Sequence, residues 1–560
     1  MTYRDDVNES NMSTESRSAA PSIRPAISVD EGELIGQVVS VSGSRVVARL
    51  TVRAPGAAAR DPDDLQIGSL VKMPSAETVV FGMVRSLDIP DMAGSDDRTE
   101  VRIMEIELVG EGVNAADGGP IEFRRGVSFF PRLGDGVHTV SQEDLMRVYA
   151  RPHVSSVKVG TIYQDKSLPA FIAVDDLLGK HFAVLGNTGA GKSCAVATIL
   201  RAIISSHAEG HILLLDLHDE YSHAFSDCAE LLGAERLKLP YWLLSFDELQ
   251  EIIVEKSDNR EVDRIILKDA MIHAKQVFNE GNDKIERISS DTPVPYRLSE
   301  LLHYIEESLG KLDKPTDSAP YLRLRNRFDA LLTDSRFDFI FEERFTVADD
   351  MEEILARLFR VPAAGKPITI LDLSEVPTDI LKVVVSLLCR LTFDFAFWGE
   401  QDTPVLLVCE EAHRYVARTD DKGFELTKRA LSRIANEGRK YGVSLCIVSQ
   451  RPSELESGIL SQCNTIFAMR MSNQTDQEFV RGTLSESALG LLDSLPSLRT
   501  GEAVAAGEGL SVPVRVHFDL LPEDQRPLSG TAHFSEAWKV GSRIEGHVGK
   551  VVRRWRSQRR

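Results

Sequence analysis

The sequence predicts an α/β fold that follows a small β-barrel and is interrupted by a helical insertion. Beyond residue 160, short apolar runs alternate with helix-like stretches, and each run ends in a polar or glycine-bearing turn, which is typical of buried parallel strands. These runs read HFAVLG, HILLLDL, PITILDL, PVLLVCE and VSLCIVS. Before residue 160, short β-branched runs separated by Gly, Pro and Asp indicate the strands of a barrel.

Changes in composition along the chain predict the domain boundaries. We predict a disordered segment at residues 1–30, which are polar and rich in Ser and Asp, and a β-barrel at residues 31–158. The α/β core occupies residues 159–240 and 357–525, because the charged, helix-like stretch 241–356 between them contains no strand-like run. Residues 526–560 form a basic tail that ends in KVVRRWRSQRR.

The composition is that of a soluble globular protein, with 42% hydrophobic and 27% charged residues. A formal net charge of −20 argues against a globally basic nucleic-acid binder, so evidence for nucleic-acid binding has to come from motifs. The six cysteines include no CxxC pair, which favours reduced thiols and a cytoplasmic location. No signal peptide is recognised at the start, and the apolar stretch 380–398 carries Lys382, Arg390 and Asp394. We therefore expect a buried helix there and no membrane anchor.

A glycine-rich loop stands between the predicted strand HFAVL and the predicted helix SCAVATILRAII. It matches GxxxxGK[ST] without a mismatch, and its residues are Gly186, Asn187, Thr188, Gly189, Ala190, Gly191, Lys192 and Ser193. In such a loop the backbone N–H groups surround phosphates, and the helix N-terminus adds a favourable dipole. We expect Lys192 to contact the β- and γ-phosphates of ATP and the Ser193 hydroxyl to bind Mg²⁺. The motif indicates a RecA-like P-loop ATPase core.

Two adjacent acidic residues, Glu410 and Glu411, follow the predicted strand PVLLVC. ATP hydrolysis needs a carboxylate near Mg²⁺ and a second one that polarises the attacking water. We expect Glu410 to act on the metal through a bound water and Glu411 to be the catalytic base.

A third motif, NEGRKYGVSLCIVSQRPSEL, contains Arg439 before a predicted strand and Gln450 after it. A polar side chain at the tip of a strand beside the P-loop strand can sense the γ-phosphate, which suits Gln450. Arg439 is a candidate arginine finger for the ATP of a neighbouring subunit. The alternatives for Arg439 and Lys440 are a surface basic patch or contacts with DNA phosphates.

A fourth motif, HILLLDLHDEY, places Asp216, His218 and Glu220 at the end of the second predicted strand of the core. This is the catalytic edge of such a sheet, where the three side chains can tune the attacking water or link the nucleotide state to a DNA-facing loop. No second histidine stands at metal-ligand spacing, so a transition-metal site is not predicted.

In this order, the four motifs resemble the HerA family of hexameric ATPases, which belongs to the HerA/FtsK superfamily of DNA translocases. The resemblance runs from the P-loop through DLHDEY, EEAH, GRKYG and SQRP to NTIFAMR and GEAVAAG, and with the barrel it covers roughly residues 34–520. It implies a homohexamer with ATP sites between subunits, in which Arg439 acts across the interface. Lys180, before the P-loop strand, stands near the position where family members carry a second cation, although it is Lys and not Arg.

The resemblance also implies partners. The family threads double-stranded DNA through its pore and works with a separate effector, either a NurA-type nuclease in DNA-end processing or, in bacterial antiphage defence, a sirtuin-like NAD hydrolase or another nuclease. The composition lacks a thermophile-like Lys/Glu bias and suggests a mesophilic bacterium, which favours the defence role.

Three functions remain open at this point. The leading one is an ATP-driven DNA translocase or helicase, and the second is an ATP-regulated hexameric scaffold that activates an effector without extensive unwinding. The third is a conjugation or secretion ATPase, against which GRKYG and SQRP argue. Candidate DNA contacts are Lys422, Lys428 and Arg429, with a solvated helix face as the alternative, and the basic tail either binds DNA or braces a neighbouring subunit.

Overall fold

The computed structural model describes most of the chain and divides it into two compact units. The first unit comprises residues 1–65 and 70–147, and the second comprises residues 66–69 and 148–560. The described residues are 32–51, 65–75, 78–89, 101–113, 122–233, 239–254, 260–281, 287–310, 315–334, 337–341, 348–418, 424–484, 486–528, 534–539 and 546–557. The segment 1–30, which we predict to be disordered, lies outside these residues.

The first unit is a β-barrel. Its elements are β1 (Leu34–Ser42), β2 (Arg45–Leu50), β3 (Leu70–Pro74), β4 (Val79–Asp88), β5 (Ile103–Val113), β6 (Glu122–Arg125), β7 (Gly136–Thr139) and α1 (Gln142–Val148). The strands run in the order β2-β1-β7-β3-β4-β5-β6, and an additional pairing of β2 with β5 closes the barrel. The predicted barrel is therefore confirmed.

Apolar side chains from the strands fill the barrel interior, among them Val46, Val71, Val80 and Ile106. One buried ion pair accompanies them, because Lys72 Nζ in β3 lies 2.6 Å from Asp144 Oδ2 in α1. The lysine and two hydrogen bonds from Ser141 hold the pKa of Asp144 below its usual range, although burial opposes them. A buried charge pair of this kind is expensive to break, so it ties the helix to the barrel.

The second unit is built on an eleven-stranded sheet. Its strands are β8 (Ser156–Ile162), β9 (Pro169–Ala173), β10 (Phe182–Leu185), β11 (Ile212–Asp216), β12 (Ala229–Gly233), β13 (Ile368–Asp372), β14 (Val405–Cys409), β15 (Val443–Ser449), β16 (Thr465–Met469), β17 (Glu502–Gly507) and β18 (Val514–Phe518). They run in the order β12-β13-β11-β14-β15-β10-β16-β17-β18-β8-β9. Pairing is parallel from β12 to β16 and antiparallel from β16 to β9. The five predicted apolar runs are β10, β11, β13, β14 and β15, so the predicted α/β fold is confirmed.

Helices cover the faces of this sheet and make up the long insertion. They are α2 (Val174–Leu178), α3 (Lys192–Ser206), α4 (Phe246–Ile253), α5 (Arg260–Phe278), α6 (Leu298–Gly310), α7 (Pro315–Thr333), α8 (Asp338–Phe341), α9 (Met351–Phe359), α10 (Thr378–Trp398), α11 (Glu425–Tyr441), α12 (Ser457–Leu460), α13 (Gln474–Thr483), α14 (Leu489–Leu492), α15 (Phe534–Ala537) and α16 (His547–Ser557). In the described part of residues 241–356 all repetitive structure is helical, and in the described part of the tail it consists of α15 and α16.

Two details refine the sequence-based view. The predicted boundary at residue 158 falls inside β8, which pairs with β18 and β9 in the large sheet. The apolar stretch 380–398 lies in α10, where Arg390 donates to Glu248 at 2.9 Å and contacts Asp394 at 3.3 Å. None of the described helices combines the length and the apolar character that a membrane crossing requires.

A buried histidine fixes the start of β10, the strand that leads into the P-loop. The backbone of His181 has a positive φ of 55°. Its Nδ1 accepts a hydrogen bond from the backbone N–H of Leu445 at 3.0 Å, so its Nε2 carries the proton and donates to the carbonyl of Ala435 at 3.2 Å. Burial lowers the pKa of His181. The neutral imidazole therefore joins β10, α11 and β15.

This arrangement predicts a pH-dependent stability of the second unit. Because the pKa of His181 is lower in the folded than in the unfolded chain, its contribution is complete above the ordinary histidine pKa of about 6.5 and is lost as the pH falls below that value. We expect His181→Asn to lower the unfolding temperature at pH 7.5 by a few degrees, and to reduce the further fall between pH 7.5 and pH 5.5. His153 is exposed and provides the matched control, His153→Asn. Identical pH slopes for the two variants in thermal unfolding would contradict this role.

Candidate active site

The functional side chains lie where parallel strands end. The P-loop follows β10, Gln450 follows β15, Glu410 and Glu411 follow β14, and Glu220 lies in the turn after β11. These four strands are neighbours in the order β11-β14-β15-β10 and run in the same direction. Their carboxyl ends therefore meet at one edge, which is where open α/β sheets bind ligands.

The P-loop has the backbone that its glycines permit. Gly189 and Gly191 have φ values of 75° and 99°, and α3 begins directly after them at Lys192. A Cβ on Gly191 would approach the backbone nitrogen of Gly501 to 3.1 Å, whereas a Cβ on Gly189 would meet nothing within 4 Å. The loop thus places a helix N-terminus and a set of backbone N–H groups at the catalytic edge, as anion binding requires.

Backbone and side-chain bonds tie the loop to neighbouring strands. The N–H of Gly186 donates to the carbonyl of Ser449 at 3.2 Å, and that of Asn187 donates to the carbonyl of Arg470 at 2.9 Å. The Asn187 amide donates to the Ser472 hydroxyl at 2.7 Å. These bonds fix the loop to the carboxyl ends of β15 and β16.

Lys192 and Gln450 contact this loop from two sides. Lys192 is only 7% exposed, and its Nζ lies 3.5 Å from the carbonyl oxygen of Asn187. Gln450 accepts a hydrogen bond from the Thr188 hydroxyl through its Oε1. A cation and an amide thus stand at the loop, where they can contact a bound triphosphate.

The two adjacent glutamates have different surroundings. Glu410 is buried, and its Oε2 accepts a hydrogen bond from the Tyr221 hydroxyl at 2.7 Å. Burial raises the pKa of Glu410 to about 8. Glu411 has a left-handed backbone with φ of 48°, and its Oε2 lies 3.1 Å from His413 Nδ1. That oxygen is buried and accepts no hydrogen bond from the described residues. Burial also raises the pKa of Glu411, while Lys192 and His218 oppose the shift.

The turn after β11 brings a further carboxylate to the P-loop. Asp216 is buried and accepts hydrogen bonds from the backbone N–H groups of His218 at 3.1 Å and Tyr221 at 2.9 Å. Glu220, from the same turn, accepts a hydrogen bond from the Ser193 hydroxyl. The side chain that contacts the P-loop serine is therefore Glu220, whereas Glu410 points to Tyr221. The turn is recognisable in the sequence, whereas its contact with Ser193 is not.

Arg439 lies elsewhere. It is exposed in the last turn of α11, just before β15 begins at Val443. Because β15 then runs seven residues to the catalytic edge, Arg439 is separated from the P-loop of its own chain by the length of that strand, about 20 Å. Lys180 also precedes its strand, β10, and its ammonium group contacts Glu508 and Asp176. The structure does not bring either cation to the P-loop of the same chain.

The candidate DNA contacts are engaged within the chain. Lys428 lies 2.7 Å from Glu456 Oε2, and Arg429 lies 3.7 Å from Glu425 Oε1. Lys422 is outside the described residues. Surface ion pairs are weak, so these contacts leave both side chains able to exchange partners.

Comparison with known proteins shows similarity to HerA helicases. Residues 157–392 match the family model described as the central domain of helicase HerA. A probable helicase of Methanocaldococcus jannaschii is 24% identical over 88% of this chain and 91% of its own length. The DNA double-strand break repair helicase HerA of Pyrococcus furiosus is 26% identical over 72% of this chain and 76% of its own length, and that of Sulfolobus acidocaldarius is 28% identical over 73% and 77%.

The chain is similar to HerA helicases over most of its length, and its central part matches their family model. Together with the P-loop, this similarity makes the chain an ATPase. Among solved structures, VirB4 of Thermoanaerobacter pseudethanolicus resembles it with a TM-score of 0.49 at 15% identity, covering 67% of this chain and 99% of that one. The bacterial conjugative coupling protein TrwB resembles it with a TM-score of 0.45 at 15% identity, over 70% and 95%.

The positive φ of Gly191 gives a direct test of the P-loop. Gly191→Ala adds both left-handed strain and a close approach to Gly501, so we expect ATP affinity to fall about tenfold or more. Gly189→Ala adds the strain without the close approach and should lose less affinity. Titration with a fluorescent ATP analogue measures both, and equal losses in the two variants would contradict the assigned backbone constraint.

Proposed function

We propose that this HerA-like ATPase is a translocase of double-stranded DNA that works as a homohexamer in the cytoplasm, together with a separate effector. The observation that carries the proposal is the division of the ATPase residues between two edges of one sheet, the edge where its parallel strands end and the edge where they begin. The P-loop, Glu410, Glu411 and Gln450 lie at one edge, and the exposed Arg439 lies at the other. Head-to-tail packing of subunits in a ring would bring the second edge of one subunit to the first edge of the next.

The residues at the first edge fit ATP with Mg²⁺. The P-loop presents a helix N-terminus with Lys192 beside it, which suits a triphosphate, and Ser193 supplies a hydroxyl to the metal. Burial raises the pKa of Glu410 most, and the negative charges of Glu411 and Glu220 raise it further, whereas the Tyr221 hydroxyl and Lys192 lower it. A bound Mg²⁺ would balance that charge and neutralise charge that develops on the phosphates.

Each side chain then has a distinct role. Lys192 and the P-loop backbone bind the phosphates, and Gln450 senses the γ-phosphate through the loop that holds Thr188. Glu411 is the catalytic base, since its Oε2 is buried and accepts no hydrogen bond from the described residues, which leaves it able to accept a proton from water. Glu410, held by the Tyr221 hydroxyl, would act on a bound magnesium ion through a water molecule.

The DNA and effector parts of the proposal rest on the family. The named relatives from Pyrococcus furiosus and Sulfolobus acidocaldarius are DNA double-strand break repair helicases. We assign double-stranded DNA as the polymer that this chain moves, and a NurA-like nuclease, another nuclease or a sirtuin-like NAD hydrolase as the effector. The role is DNA-end processing or, as the mesophile-like composition favours, antiphage defence.

A second candidate is the ATP-regulated scaffold. The net charge of −20 favours it, because an acidic protein gains less from long-range attraction to DNA than a basic one. In this function the hexamer activates the effector, and ATP turnover matters more than movement along DNA.

Stimulation by DNA distinguishes the two functions. We expect linear duplex DNA to raise the ATPase rate of the purified protein several-fold, with a stimulation that falls as salt increases. Glu411→Gln should retain ATP binding and lose about 100-fold or more in hydrolysis with or without DNA, because only the proton acceptor is removed. An ATPase rate indifferent to DNA at low salt would favour the scaffold and contradict translocation.

Subunit mixing tests whether Arg439 acts in a neighbouring site. Lys192→Ala removes nucleotide binding but keeps Arg439, whereas Arg439→Ala keeps the nucleotide site but lacks the arginine, and we expect each to be nearly inactive alone. In a 1:1 mixture that exchanges subunits, on the order of a quarter of the head-to-tail interfaces would combine an intact site with an intact arginine, so activity should return.

The control mixture contains Arg439→Ala with the double variant Lys192→Ala/Arg439→Ala, which contributes neither half and should stay inactive. Lys440→Ala should remain active by itself. If the first mixture also stays inactive while labelled subunits demonstrably exchange, Arg439 does not complete a neighbouring site.

A further inference from the structure

The contact between Glu220 and the P-loop serine has no role in the mechanism above. The Ser193 hydroxyl is the group that P-loop ATPases offer to the metal, and here it donates a hydrogen bond to Glu220. The acid that holds this hydroxyl comes from the turn after β11, which is separated from β10 by β14 and β15 in the sheet. Glu220 therefore lies beside the point where the cation is expected.

The turn that carries Glu220 is firmly built. Asp216 accepts hydrogen bonds from two N–H groups of the turn, and the carbonyl of Glu220 accepts one from the N–H of Leu528 at 3.0 Å. The next residue, Tyr221, is buried and donates to Glu410. Because hydrogen bonds hold the backbone on both sides of Glu220, its position is preorganised, as expected of a residue that positions a ligand.

Charge at this place adds a second argument. Glu220 raises the pKa of both Glu410 and Glu411 by its negative charge, whereas Lys192 lowers them. His218 and Arg414 also lower the pKa of Glu411. The Glu220 carboxylate thus adds negative charge next to the P-loop serine, and a cation bound there would be stabilised by that charge.

We propose that Glu220 is a positioning residue for the magnesium ion that accompanies ATP. Its carboxylate holds the Ser193 hydroxyl before nucleotide binds, and it attracts the divalent cation to the same point when ATP enters. The inference deepens the proposed function, since it rests on the ATP and Mg²⁺ site described there. Glu410 is less suited to this task, because it is buried and its carboxylate is engaged by Tyr221.

The test separates metal-dependent from metal-independent nucleotide binding. Binding of a fluorescent, non-hydrolysable ATP analogue to the full-length protein is titrated with Mg²⁺ and repeated in EDTA. For Glu220→Gln we expect the half-saturating Mg²⁺ concentration to rise about tenfold, the effect of losing one charge-assisted interaction. In EDTA we expect the affinity to stay the same or rise, because a negative charge near the phosphates has been removed.

Two further variants complete the design. Glu209 is exposed in the turn that precedes β11, at the opposite edge of the sheet, so Glu209→Gln is the matched control and should bind like the parent protein. Glu220→Asp keeps the negative charge, so its half-saturating Mg²⁺ concentration should lie between those of the parent protein and of Glu220→Gln. It also replaces Glu220→Gln in the test if that variant does not fold. Circular dichroism and thermal unfolding establish that each variant is folded.

The outcomes that overturn the inference are specific. A half-saturating Mg²⁺ concentration within twofold of the parent in Glu220→Gln, or an equal loss of affinity with and without Mg²⁺, would mean that Glu220 is only structural. Equal half-saturating Mg²⁺ concentrations in Glu220→Asp and Glu220→Gln would have the same meaning. If nucleotide binding by the parent protein does not depend on Mg²⁺, the proposed metal site itself fails, and this result is distinguishable because it needs no variant.

Discussion

Parallel pairing among β11, β14, β15 and β10 is the constraint on which the ATPase machinery depends. None of these pairs has a register shift, and Leu185 lies opposite Ser449 while Cys409 lies opposite Ile447. Because parallel strands end together, the loops that follow them converge although they are far apart in sequence. The P-loop itself is hydrogen-bonded to the ends of β15 and β16, so both the sheet and the loop's own glycines determine its conformation.

The same edge concentrates groups that destabilise a folded protein. Glu410 has a pKa of about 8, and Glu411 has a left-handed backbone and a buried oxygen that accepts no hydrogen bond from the described residues. Glu220 contacts Ser193 nearby. Strained backbone and unpaired buried acceptors each cost about 1–3 kcal/mol, and they persist only where the surrounding structure holds them. Here the seven parallel strands and the ties of Asp216, Tyr221 and Tyr415 hold them, the last by a hydrogen bond to the Glu410 carbonyl at 2.9 Å.

Much of this arrangement could be predicted from the sequence, because its signals are local. The apolar runs that became β10, β11, β13, β14 and β15 are buried on both faces, and the P-loop motif sits between a strand and a helix as expected. The antiparallel strands β8, β9 and β18 are harder to assign to the large sheet from sequence, since their short apolar runs resemble those of the barrel. The partners of Glu220 and Lys180 could not be predicted, because they depend on which strands become neighbours and not on spacing along the chain.

The position of Arg439 at the end of α11 has a consequence for where ATP is consumed, given the role proposed for this residue. On that proposal, a chain that holds the nucleotide-binding residues of one site and the activating arginine of another hydrolyses ATP poorly while it is alone. ATP would then be consumed by assembled subunits, and dilution or an inactive neighbour would slow hydrolysis. Such a division would limit ATP hydrolysis by unassembled chains without any separate inhibitor.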